Sequence, residues 1–93
     1  MKAPSNWSLV FFNDSVTPFG VVAYICTKVL HMTSPQAVSF ANKINEEGVG
    51  EFGSFPKSIA EAKRSLIESR ANSLGYPLKV EIKIIEKDED DEK

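Results

Sequence analysis

Few residues of this chain are suited to chemistry, and most of those point away from catalysis. The single histidine, His31, and the single cysteine, Cys26, are five positions apart, off the spacings of three and four that bring side chains together on a helix. A thiolate–imidazole nucleophile is therefore not expected, and a metal site lacks ligands. Cys26 reads as a small core residue, and His31 as a helix-end residue whose charge suits the C-terminal pole of the dipole. Gly48, Gly50 and Gly53 do not have the spacing of a phosphate loop or a dinucleotide fingerprint. What remains is an amide beside a carboxylate: Asn13 and Asp14, in a polar turn between apolar runs that end at Phe11-Phe12 and restart at Phe19. Both side chains accept hydrogen bonds from amines. The available chemistry is thus recognition of an amine donor at the rim of apolar ground, although the commoner use of such a turn is to join a strand to a helix.

The elements that must position this turn follow from patterning. Trp7 to Phe12 is rich in strand formers with bulky groups on both faces, which predicts a strand that is central or covered on both sides. Thr17 is expected to cap a helix that has Pro18 in its first turn and runs apolar from Phe19 to Leu30. The β-branched content there also fits a strand, but twelve residues between two Pro-containing starts favour a helix. Thr33-Ser34-Pro35-Gln36 has the form of a capping box; Ala37, Phe40, Ala41 and Ile44 recur on one helical face, and Gly48 suits the left-handed end. Val49 to Phe55 reads as a short strand whose glycines mark a bulge or a close approach. Pro56 to Leu74 predicts a third helix with an apolar stripe of Ile59, Ala62, Leu66, Ile67, Ala71 and Leu74, and with Ser58 and Glu61 as a second capping box. Gly75 and Pro77 end it. Leu78, Val80, Ile82 and Ile84 then alternate with Lys79, Glu81 and Lys83 in a half-buried strand.

The order β-α-α-β-α-β predicts a mixed α/β (α+β) single domain, a three-stranded, mainly antiparallel sheet covered by three helices. Residues 1–6 are expected to be a short flexible lead, 7–86 the domain, and 87–93 a disordered acidic tail without an apolar side chain. A chain of 93 residues that is 42% hydrophobic and 26% charged has the makeup of an ordinary globular domain. A net charge of −2 gives no electrostatic footprint for nucleic acid. No apolar run approaches the ~20 residues of a membrane span, and Lys2 is followed by no apolar signal region. One cysteine excludes an internal disulfide and fits a reducing compartment. The expectation is a cytoplasmic monomer without cofactors.

With the chain laid out, a resemblance emerges. Asn13-Asp14 followed by Thr17-Pro18, the Ala37 helix ending at Gly48, Gly53-Ser54-Phe55, Glu61-Ala62-Lys63 and Gly75-Tyr76-Pro77-Leu78 come in the order and spacing of the ClpS family. The chain resembles these adaptors, which hand N-end-rule substrates to AAA+ Clp proteases, from about Ser8 to Lys83. The resemblance implies a non-enzymatic adaptor that binds a first residue of Leu, Phe, Tyr or Trp and its free α-amino group. Asn13, Asp14 and Asn45 match the positions that hold the amino group, and Phe11, Thr17, Phe19, Ala41, Ile44 and Leu78 match pocket-lining positions. Glu61 and Lys63 match the region that docks on the N-terminal domain of the unfoldase.

Departures accompany the match. Asn45 stands where the family usually has a histidine, and its amide oxygen can accept the same hydrogen bond. Ser15 replaces a second acid, and Ser58 replaces an acidic docking contact. Ala41 replaces a larger methionine and Phe19 a slimmer one, which implies a changed ranking of bulky N-terminal residues. The family's long N-terminal arm corresponds here to about half a dozen residues, too short for a comparable reach at ~3.5 Å each. Docking with impaired delivery is then expected. Two rivals follow: a docking-only regulator that competes with another adaptor, and a small acyl- or thiol-chemistry enzyme using Cys26.

Overall fold

The computed structural model describes residues 6–85. The acidic tail, and the lead up to residue 5, lie outside the described residues. Six elements follow one another: β1 (Asn6–Phe12), α1 (Phe19–Val29), α2 (Ser34–Glu47), β2 (Val49–Phe55), α3 (Lys57–Ser73) and β3 (Lys79–Ile85). The order is the expected one, and Asn6, assigned to the lead from sequence, already pairs with Ile85. The sheet order is β2-β1-β3 with both pairings antiparallel, so β1 is central.

Cover on both sides of β1, however, is not what forms. Leu9 and Phe11 share one core with Val22, Ile25, Cys26 and Val29 of α1, Ala37, Ala41 and Ile44 of α2, and Ile67 and Ala71 of α3. The alternate residues Ser8, Val10 and Phe12 pair across the other face with Lys83, Glu81 and Lys79 of β3, all exposed. Val10 and Phe12 are half-buried by their flanking strands rather than by a second layer. On this face the Ser8 hydroxyl donates to the Glu51 carboxylate, which Lys83 also approaches at 3.7 Å.

Helix termini explain most element boundaries. The capping box at α2 forms as expected: the Gln36 N–H donates to the Thr33 hydroxyl and the Thr33 N–H donates to the Gln36 side chain. Gly48 ends the helix at φ 87°, and its N–H donates to the Ile44 carbonyl at 2.8 Å. At α1 the expected cap is corrected. Pro18 is the N-cap, extended and without a side-chain cap bond, because the Thr17 hydroxyl is turned back onto Asp14.

α3 needs two corrections. Its N-cap is Pro56 with no side-chain cap bond, so the Ser58–Glu61 box does not form. Its buried residues are Ala60, Ile67 and Ala71, while Ile59, Leu66 and Leu74 stay exposed. The small Ala60 and Ala71 let the helix backbone approach the sheet, and the Glu68 carboxylate on the flank of that face accepts the Val80 N–H at 2.8 Å. Close approach and a backbone hydrogen bond decide the rotation over the wider leucine stripe.

The glycines of β2 do what the pattern suggests. The register runs Leu9↔Phe52 but Trp7↔Phe55, an extra residue on β2, and Gly53 sits there at φ 88°. A Cβ on Gly53 would collide with the Phe55 ring. The bulge thereby places Phe52 and Phe55, ring centroids 6.4 Å apart, both against the core.

Candidate functional site

The strand β1 ends at Phe12, and the next residue joins two distant parts of the chain. The Asn13 N–H donates to the Gly48 carbonyl at 3.0 Å, tying the polar turn to the C-terminus of α2. On the other side Phe12 pairs with Lys79, so Asn13 follows onto the level of Leu78, just before β3. On α2, Ala41, Ile44, Asn45 and Gly48 recur at helical spacing and share a face. This bond therefore brings Asn45 toward Asn13 and Asp14 at one end of the sheet. Among the described residues, neither the Asn13 nor the Asn45 side-chain amide has an intramolecular hydrogen-bond partner.

Asp14 is differently employed. Its carboxylate accepts the Val16 N–H at 2.8 Å, the Thr17 N–H at 2.6 Å and the Thr17 hydroxyl at 2.9 Å. Partial burial pushes its pKa up, but the hydrogen bonds from the Thr17 N–H, the Thr17 hydroxyl and the Val16 N–H outweigh it and leave the carboxyl below its ordinary value. The group is thus a fixed negative charge. With about four lone-pair sites on a carboxylate, three local donors leave room for one more.

Of the apolar positions beneath the turn, Phe11, Ala41, Ile44 and Leu78 share the one core cluster, and the ground they form is closed. Phe11, Thr17, Ala41, Ile44 and Leu78 are all buried, and only Phe19, the first residue of α1, stands 40% exposed at the rim. Two neighbours outside the expected lining complete this ground. Phe40 meets Phe11 edge to face, with centroids 5.2 Å apart at 90°. Gly50 lies against Ile44 and Phe40 so closely that a Cβ there would stand 2.6 Å from Ile44 Cγ1. The signal for Gly50 was present, a glycine inside a strand, but the sequence did not say which side chain it admits.

Other candidates are placed as follows. Cys26 is fully buried, and burial pushes its thiol up to about 12, so it is held as a neutral core group and not as a nucleophile. This removes the observation on which a Cys26 enzyme would rest. His31 is exposed just beyond α1, at φ 57°. Among the described residues no group of three or more His, Cys, Asp and Glu could hold a metal ion, and no helix is long and apolar enough to cross a membrane. Glu61 is exposed on α3, whereas Lys63 is half-buried with its ammonium 5.6 Å from the Phe55 ring centroid. Two positions apart on a helix, the two side chains point to different sides.

The comparisons with known proteins fit this geometry. The family model described as "ATP-dependent Clp protease adaptor protein ClpS" matches residues 2–81, which include the turn, all of α2 and the start of β3. An ATP-dependent Clp protease adapter protein ClpS of Nitratidesulfovibrio vulgaris (strain DP4) is 30% identical over 79 residues, 85% of this chain and 76% of its own. That of Helicobacter hepaticus is 32% identical over 80 residues, 86% of this chain and 81% of its own. In three dimensions, Agrobacterium tumefaciens ClpS2, solved bound to L-phenylalaninamide, matches with a TM-score of 0.86 over 89% of this chain and 100% of that chain. At 19% identity that match speaks for the fold.

Proposed function

The chain belongs to the ClpS family of Clp protease adaptors, and from that premise we propose that it binds substrates through a bulky N-terminal residue and its free α-amino group. The observation that supports this most is the Asn13 N–H to Gly48 carbonyl bond, which ties the turn of Asn13 and Asp14 to the end of the helix that carries Asn45. An α-amino group has a pKa of about 8 and is mostly cationic at neutral pH. The Asn13 and Asn45 amide oxygens accept its hydrogens, and Asp14 supplies the charge and at most one direct bond. Such charge-assisted bonds contribute roughly 1.5–3 kcal/mol each, and burying one large apolar side chain adds about 1.5–3 kcal/mol. After association costs this corresponds to an affinity around micromolar. The ligand in the ClpS2 structure, phenylalaninamide, has this chemistry: an aromatic side chain and a free amine.

The side chain enters between Phe11, Thr17, Phe19, Ala41, Ile44 and Leu78. Because the ground there is closed and Phe19 alone is exposed, Phe19 must swing for an aromatic ring to enter, and Ala41 leaves space behind it. The far end of the molecule, at Glu61 and Lys63, docks on the N-terminal domain of a Clp unfoldase. The same closed ground favours a second reading, a regulator that docks on the unfoldase and presents nothing.

One titration separates the two. Labelled peptides beginning with Leu, Phe, Tyr, Trp, Ala and acetylated Phe are added to the purified chain, in parallel with an isolated unfoldase N-domain. Saturable binding of the bulky free N-termini, abolished by acetylation, is the expected result. Binding of the N-domain without binding of any peptide would establish the regulator instead.

A further inference from the structure

Leu66 and Leu74, which patterning assigns to the core stripe of α3, are left uncovered, and they are not uncovered at random. With Tyr24 of α1 they line a cleft of about 280 Å³ together with Ser69, Arg70 and Ser73. Tyr24, Leu66 and Leu74 are 47%, 47% and 48% exposed. The α3 residues recur at intervals of three and four and form one stripe beside the buried stripe of Ala60, Ile67 and Ala71. Large apolar side chains gathered in one concavity mark an interaction surface more often than singly exposed ones do. A cleft just below the usual volume of a small-molecule pocket suits one or two side chains of a peptide better than a whole cofactor.

Charge identifies the occupant. Arg70 lines the cleft, and Lys28 reaches over its Tyr24 wall, 5.6 Å from the ring centroid. No carboxylate lines it. Among the described residues neither cation has an ion-pair partner, so both charges are free for a ligand. The nearby Glu68 carboxylate is committed to the Val80 N–H and to Arg64. A cationic, apolar cleft on a chain of net charge −2 is complementary to carboxylates, which the planar guanidinium binds in bidentate fashion. We propose that the α1–α3 cleft docks an acidic, apolar segment of a partner protein, with bulky side chains against Tyr24, Leu66 and Leu74 and an Asp or Glu on Arg70. The surface is separate from the amine-binding turn and prefers the opposite charge.

The test uses the full chain and two N-terminally acetylated, C-terminally amidated peptides, Glu-Leu-Glu-Phe-Asp and Lys-Leu-Lys-Phe-Lys, followed by backbone amide chemical shifts. The acidic peptide is expected to give saturable shifts centred on Tyr24, Leu66, Arg70 and Leu74, and the basic peptide none. Arg70→Glu, at an exposed position, should weaken the acidic peptide roughly tenfold or more with an unchanged circular dichroism spectrum. Leu66→Ser should weaken it as well, and neither change should alter binding of a free N-terminal Phe peptide. Absence of saturable shifts, equal binding of the basic peptide, or shifts centred on Asp14 would overturn the proposal. So would concentration-dependent dimerisation abolished by Arg70→Glu, which would assign the cleft to a second copy.

Discussion

Gly50→Ala is the sharpest perturbation available at the apolar ground beneath the turn. Gly50 is buried in β2 opposite Phe11, and its φ is not in the left-handed region, so alanine fits the backbone. Two effects then compete. Replacing a strand glycine stabilises by about 0.5–1 kcal/mol through the lost entropy of the unfolded chain. Against this, the new methyl would stand 2.6 Å from Ile44 Cγ1 and 3.1 Å from Phe40 Cε1, where carbons prefer about 3.5–4.0 Å. Phe40 is half-buried and can tilt; Ile44 is buried and must retreat by about 1 Å, at an overpacking cost of roughly 1–3 kcal/mol. Overpacking wins, with a net loss of about 1–2 kcal/mol. Urea melts of the four proteins in the cycle Gly50→Ala, Ile44→Ala and their combination measure it. In the Ile44→Ala background Cγ1 is gone, and Gly50→Ala becomes neutral or slightly stabilising. If Gly50→Ala costs the same in both backgrounds, the clash with Ile44 is not the cause and the reasoning fails. A displaced Ile44 also narrows the proposed pocket, so Trp peptides should lose roughly tenfold relative to Leu peptides.

Further outcomes follow from other features. Asp14→Asn keeps an acceptor for the Val16 and Thr17 N–H groups while removing the charge, so the melt shifts little and the affinity for a free N-terminus falls roughly tenfold; Asp14→Ala loses the turn as well and destabilises by about 1–2 kcal/mol in the same urea melt. The affinity for a Phe peptide, measured by anisotropy against pH, should fall above the α-amino pKa of about 8 and show no step near pH ~6.5, since Asn45 does not titrate. On the acid side, the depressed Asp14 pKa means that its contribution to stability is complete above the unfolded-state value and is lost only as pH falls through the lower folded value; a melt series from pH 5 downward checks this. Thr33→Ala removes the cap of α2 and should cost about 1 kcal/mol by urea melt, without altering the ranking of N-terminal residues.

Much of this architecture was readable because local signals agreed with tertiary ones. Thr33, Gln36 and Gly48 bound α2 by capping chemistry that depends on no distant contact, and the alternation over Lys79 to Lys83 describes a strand with one wet face, which Ile84 at its end departs from by being exposed. Errors arose where a tertiary contact overruled a local pattern. Patterning turns α3 toward Leu66 and Leu74, which are better hydrophobes than Ala60, yet only a small residue allows the helix to approach the sheet. Thr17 has the look of a cap, but Asp14, three residues earlier, competes for its hydroxyl. The residues around the turn are legible from sequence as a set of positions, but their closure is not, because it involves Gly50 admitting Ile44 from 6 positions away and the Phe11–Phe40 contact.

The bulge at Gly53 also bears on what the outer strands present to other chains. An open three-stranded sheet has two borders with unpaired backbone groups, each a template for an incoming strand. The β2 border is broken by the extra residue opposite Ser8, which twists it and spoils its repeat. The β3 border keeps an unbroken register of seven pairs with β1 behind it; its Val80 N–H is already taken by the Glu68 carboxylate, and otherwise its guard is chemical, with Lys79, Glu81 and Lys83 on alternate positions. One border is thus defended by shape and the other by charge. High salt weakens only the second, so self-association of this chain, where it occurs, starts along β3.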